Sequence, residues 1–103
     1  MVPAVGYLLY FYTYSTFEGR MVFMEDLYVS PSYRQQGIGR ALVKALCEEA
    51  LSKGCCRFDF NVLDWNEPSI RFYKNLGAVN MTSAHNWNLY RLSLDDMRKV
   101  AQS

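Results

Sequence analysis

The stretch Tyr33–Leu42, YRQQGIGRAL, sets two glycines one residue apart behind an arginine and two glutamines. It follows an apolar, strand-like run, MVFMEDLYV, and opens an apolar, helix-like one. That junction constrains the fold more than any other feature, because two strands joined through a helix should lie parallel with a right-handed crossover. The first turn of a helix carries unpaired N–H groups and the positive end of the dipole. Glycine lets an anion come close to such a backbone, so Gly37 and Gly39 can floor a phosphate site. A plain tight turn accounts for the pair as well, since glycine marks turns everywhere. Two phosphate motifs are excluded. G-x-x-x-x-G-K-S/T is absent, and Leu42 stands where a dinucleotide fingerprint needs its third glycine.

The segments around this junction alternate between two periods. VPAVGYLLYFYTY is rich in Tyr, Phe and Thr and reads as a first strand. STFEGR is a hairpin-type loop, and MVFMEDLYV a second strand antiparallel to the first. In GRALVKALCEEALSKG and the residue before it, Ile38, Leu42, Ala45, Leu46 and Ala50 are apolar at helical spacing. Arg40, Lys44, Glu48 and Lys53 are polar, and Gly54 is a natural stop. CRFDFNVL alternates, with Cys56, Phe58, Phe60 and Val62 on one face and Arg57, Asp59 and Asn61 on the other. NEPSIRFYKNLG reads as a helix capped by Asn66, with Pro68 in its first turn and Gly77 past its end. WNLYRLSL is a last strand, and Ser93 with Asp96 forms a capping box for a short final helix. The expected fold is α/β with a mixed sheet: antiparallel hairpin, helix, parallel strand, helix, final strand, short helix.

A chain of 103 residues is one small domain, here taken as residues 1–103. Half its residues are hydrophobic, which supplies a core and excludes disorder. The net charge of +1 and the absence of long charge runs argue against a nucleic-acid partner. No apolar run reaches the length of a membrane span, and the N-terminal segment lacks the basic start of a signal peptide. Cys47, Cys55 and Cys56 are odd in number, and the adjacent pair has poor disulfide geometry. Reduced thiols and a cytoplasmic setting follow as expectations. His85 is the only histidine, so no metal site of the common zinc kind is expected.

Three segments together carry a family resemblance. RQQGIG fits the pattern Arg/Gln-x-x-Gly-x-Gly/Ala, EDLYV precedes it, and DWNEPSIRFYKNLGA follows it. The chain resembles the GNAT superfamily of acetyl-CoA-dependent N-acetyltransferases, and within it the diamine branch that acetylates spermidine, spermine and thialysine. The resemblance extends over essentially the whole chain. It implies acetyl-CoA as co-substrate, with the pyrophosphate on the backbone from Gln35 through Gln36, Gly37, Ile38 and Gly39 to Arg40. Arg34 and Arg40 are charged helpers in that reading. The pantetheine amides would pair with the backbone of Leu27, Tyr28 and Val29 as a short added strand. Asn66, Glu67, Pro68 and Ser69 match a second cofactor-contacting segment, although Asn66 also caps its helix. Leu27 and Val29 suit a core as readily as a cofactor edge.

The resemblance assigns Tyr73 as the acid that protonates the departing thiolate, with direct transfer of the acetyl group. Helical spacing of Phe72, Tyr73 and Leu76 fits core packing too. Glu25 and Asp26 are placed by the resemblance at the acceptor amine, a small polyamine or lysine-like molecule, and Asp59, Phe60 and Asn61 at another acceptor segment. His85 stands where the polyamine enzymes carry a glutamate, which removes one anionic contact for a polycation. The resemblance aligns the chain with the C-terminal portion of the family domain, beginning at its third strand. It also implies a homodimer. A second reading stays open: a CoA-binding or dimer-forming module without useful turnover.

Overall fold

The computed structural model describes residues 5–82 and 87–103, and His85 lies outside them. Five strands form one mixed sheet. Strands β1 (Gly6–Ser15) and β2 (Gly19–Val29) make the antiparallel hairpin, turning through Gly19 at a φ of 96°. Helix α1 (Ile38–Ser52) carries the chain across to β3 (Arg57–Leu63), which lies parallel to β2 as expected. Helix α2 (Glu67–Asn75) leads to β4 (Val79–Asn80), and β5 (Trp87–Ser93) inserts between β3 and β4. Helix α3 (Leu94–Gln102) closes the chain. The two-residue β4 was not anticipated; it is too short to show a period and exists only through its pairing with Arg91 and Tyr90. A single 3-10 turn at Pro31–Tyr33 also breaks the connection before α1.

The two helix caps read from the sequence are in place. Asn66 accepts from the Ser69 N–H at 3.4 Å, and Ser93 and Asp96 bond each other's backbone N–H groups in a capping box. One hydrophobic cluster joins the sheet to all three helices. Val22 and Met24 of β2, Phe58, Phe60 and Val62 of β3, and Tyr90 and Leu92 of β5 line its floor. Val43, Leu46, Cys47 and Ala50 of α1, Tyr73 of α2 with Leu76 at its C-cap, and Met97 and Val100 of α3 cover it. Strand alternation therefore sets which face is buried, because period 2 sends every second residue of β3 into this cluster.

The opposite face of β3 departs from the polar, solvated surface that alternation suggests. Asp59 is buried there at 7% exposure, beneath two arginines. Its Oδ1 accepts from Arg91 Nε at 2.9 Å, and its Oδ2 lies 3.2 Å from Arg57 Nε. Arg57 also pairs with Glu18 of the hairpin loop. The group ties β3 to β5 and to the β1–β2 turn. Asp59→Ala should cost about 1–3 kcal/mol, since it leaves two half-buried guanidinium groups short of their acceptor. Urea unfolding checks this; a change under ~0.5 kcal/mol would mean the three side chains are independently solvated.

Two irregularities of β2 shape the gap beside β3. Pairing with β1 runs Leu9↔Asp26 and then Tyr10↔Met24, so Glu25 is the extra residue of a β-bulge. Pairing with β3 covers only Val22–Met24 against Phe58–Phe60. Beyond Met24 the backbone of β2 has no ladder on its β3 side, although both strands continue. A parallel pair that parts in this way leaves a row of unpaired N–H and C=O groups facing the gap.

Candidate active site

Two adjoining clefts open where β2 and β3 part. The smaller, about 250 Å³, lies directly between the diverging strands and is lined by Met24–Leu27 and Phe60–Leu63, with Asn66, Ser69 and Tyr73. The larger, about 670 Å³, runs from Leu27–Val29 along the start of α1 to α2. Leu27, Asn66, Ser69 and Tyr73 line both.

The glycine loop forms one wall of the larger cleft. Gln35 and Gly37 both take positive φ, 64° and 81°. Gly37 is the N-cap of α1, with no side-chain cap on the helix and no acidic residue in its first turn. The first intrahelical bond is Ala41 N–H to Gly37 O at 3.0 Å. The N–H groups of Ile38, Gly39 and Arg40 thus have no intrahelical acceptor, and they sit at the positive end of the dipole. The second glycine has a different setting. A Cβ on Gly39 would reach ordinary van der Waals contact with Phe72, 3.4 Å from its Cζ, so this glycine sits where α1 meets α2 beside the cleft. The local chemistry suits an anionic diphosphate, and the unpaired edge of β2 suits a peptide-like arm.

The cations are held rather than free. Arg34 Nε donates to Val29 O at 2.9 Å, and its guanidinium lies 5.9 Å from the Tyr28 ring centroid. Arg40 Nη2 donates to Ser103 Oγ at 2.9 Å. Both line the larger cleft.

Tyr73 unites the two readings of its sequence environment. It packs, with its ring 4.4 Å from Phe60 and 5.0 Å from Phe72, and it also lines both clefts. Burial pushes its phenol well above the ordinary value, and the negative charge of Asp26 adds to that. The hydroxyl therefore keeps its proton through the neutral and alkaline range.

Of the residues expected at a site, Leu27, Tyr28, Val29, Arg34, Gln35, Gly37, Ile38, Gly39, Arg40, Asn66, Pro68 and Ser69 line the larger cleft. Glu25, Asp26, Phe60 and Asn61 line the smaller one. Three stand apart: Gln36, whose amide donates to Ser32 O at 3.3 Å; Glu67, in the first turn of α2; and Asp59, held by its arginines on the sheet's other side. Tyr33 and Phe72 line the larger cleft without having been singled out. Phe72 could have been found from its place beside Tyr73, but only the α1–α2 packing shows that it meets Gly39. Among the described residues no three His, Cys, Asp or Glu side chains converge as a metal site. No helix among them is long and apolar enough to cross a membrane.

Comparison with known proteins gives a consistent result. Residues 4–78 match the acetyltransferase (GNAT) family. A thialysine N-epsilon-acetyltransferase from Sus scrofa is 47% identical over 97 residues, which cover 94% of this chain and 57% of that protein. A human spermidine/spermine N(1)-acetyltransferase-like protein 1 is 33% identical over 94% of this chain and 14% of that protein. Among solved structures, Arabidopsis thaliana Naa50 in complex with a bisubstrate analogue superposes with a TM-score of 0.75 at 21% identity, covering 86% of this chain and 65% of that one. The chain thus spans a little over half the length of the thialysine acetyltransferases it matches.

Proposed function

The chain belongs to the GNAT acetyltransferase family, and from that premise we propose that its two clefts bind acetyl-CoA and a small cationic amine for direct acetyl transfer. The observation that carries the reading is the junction of the two clefts at Tyr73, between an unpaired strand edge and an uncapped helix N-terminus.

In this reading the N–H groups of Ile38, Gly39 and Arg40 hold the diphosphate, and the open edge of Leu27–Val29 pairs with the pantetheine amides. The thioester supplies an acetyl group already activated for attack by a neutral amine. Glu25 attracts the reacting amine in its cationic form and passes its proton to water, while Asp26 beside it draws the acceptor's other cationic end into the smaller cleft. Backbone N–H groups near Leu27–Val29 stabilise the negative charge that develops on the carbonyl oxygen. Tyr73 gives its phenolic proton to the sulfur as the carbon–sulfur bond breaks, and the phenolate recovers a proton from solvent. The buried phenol of Tyr73 is a weaker acid than a free one, and a free thiol has a pKa of about 8.5, so the transfer relies on position, which the aromatic packing of Tyr73 supplies, and on the same low-dielectric surroundings making the departing thiolate more basic too. The bulge at Glu25 contributes directly: an extra residue there opens the sheet and brings the acids beside the gap.

The relatives named for thialysine and for spermidine/spermine support an acceptor with more than one cationic centre. We further propose a homodimer and a cytoplasmic setting, in keeping with the family resemblance. Two measurements test the function together. Calorimetry should detect coenzyme A binding, and a free-thiol assay should detect release with at least one amine of a diamine and lysine-analogue panel. Stoichiometric coenzyme A binding without thiol release on any amine would instead select the non-catalytic binding module.

A further inference from the structure

We propose that Tyr7 is a positioning residue for the acceptor: its hydroxyl holds one oxygen of the Asp26 carboxylate so that the other is presented to the second cationic centre of a diamine. The inference rests on the acceptor reading of the smaller cleft. Tyr7 lies on β1, outside every motif that pointed to the site. Its hydroxyl donates to Asp26 Oδ2 at 2.9 Å. Among the described residues the carboxylate takes this one side-chain hydrogen bond, through Oδ2, which leaves Oδ1 for a ligand, and Asp26 lines the cleft.

The bulge creates the pair. Tyr7 stands opposite Tyr28, and Leu9 opposite Asp26. Asp26 is therefore the diagonal neighbour of Tyr7 on one face, within reach of a long side chain. The Tyr7 ring is fixed in turn by stacking on Tyr28, with centroids 5.4 Å apart and planes 28° off parallel. Tyr28 lies under Arg34 of the glycine loop. Hydrogen bonding to Asp26, more than any other cause, raises the Tyr7 phenol above its ordinary value. A phenylalanine would stack as well, so the hydroxyl is needed only for the carboxylate. The pair is exposed, and exposed polar pairs add little to stability. Its effect falls on ligand binding, because a carboxylate held in one rotamer loses less freedom when a cation arrives.

Tyr7→Phe keeps the ring and its stack, so it is expected to fold with an unchanged melting temperature. With 1,4-diaminobutane as acceptor its KM should rise about five- to tenfold, the effect of one lost hydrogen bond, with kcat within about twofold. The KM for butylamine should not move, and in an Asp26→Asn background the Tyr7→Phe change should add nothing. Equal effects on both amines, or an effect that persists with Asp26→Asn, overturn the proposal. A second readout needs no turnover. Tyrosine labelled with 13C at Cζ should show the Tyr7 resonance shifting on addition of 1,4-diaminobutane in the wild type and not in Asp26→Asn. No shift in the wild type overturns the positioning role even where thiol release is normal. A shift without thiol release refutes the transferase reading and leaves the positioning role standing.

Discussion

Tyr73→Phe should lower acetyl transfer by about 10²–10⁴-fold, the range for losing a positioned general acid, while coenzyme A affinity stays within about threefold. The substitution removes one oxygen from a ring that packs on Phe60 and Phe72, so the cluster it belongs to is kept. Steady-state thiol release and calorimetry separate the two quantities. A variant that turns over like the wild type would leave Tyr73 a packing residue and hand the proton to solvent. The pH profile adds a second check, and its sign follows from burial. Desolvation favours the neutral phenol, so its pKa is raised. Tyr73 is then the protonated acid at every pH below its ordinary value of about 10. The rate should climb with pH as the amine loses its proton, and then level off. A descending limb near pH 8 would show that a more acidic group supplies the proton.

Arg40→Glu should weaken coenzyme A binding by about 10²-fold or more. The change replaces a cation with an anion beside three helix N–H groups, a swing of about 1–4 kcal/mol per charge at contact distance depending on solvent screening. The same substitution puts an acid into the first turn of α1, which now has none. An acid there interacts well with the dipole, worth about 0.3–1 kcal/mol. It also loses the bond from Arg40 to Ser103, an exposed contact of small worth. Affinity and stability should therefore move in opposite directions: binding lost, melting temperature held or raised. Parallel calorimetry and thermal unfolding test this. Unchanged affinity would place the diphosphate away from the start of α1, and with it the whole reading of the glycine loop.

Several parts of this protein were legible residue by residue. The alternation of Phe58, Phe60 and Val62 fixed the buried face of β3. Asn66 and Ser93 marked two helix starts, and Gly37 marked the third. Each of these is a local rule: a period of 2, a side chain accepting from an N–H three residues on, a backbone at positive φ. Local rules act within a few residues and can be read without knowing the partner. The aromatic run around Tyr73 was half legible, because one helix face can pack and line a cleft at once.

What only the tertiary structure decided depends on residues far apart in the chain. The bulge at Glu25 is a mismatch between two strands and has no signature in either. Asp59 reads as part of a polar strand face and of an acceptor segment until Arg91, 32 residues later, is brought to it by β5. Gly39 faces Phe72, which is on another helix. Tyr7 meets Asp26 across 19 residues, on a register that the bulge alone sets. The amino-acid order by itself determined the elements, their caps and the buried faces, since those energies are local. Where two strands part, and which side chains gather at the parting, was settled by long-range pairing, because each such contact needs both partners placed before it contributes anything.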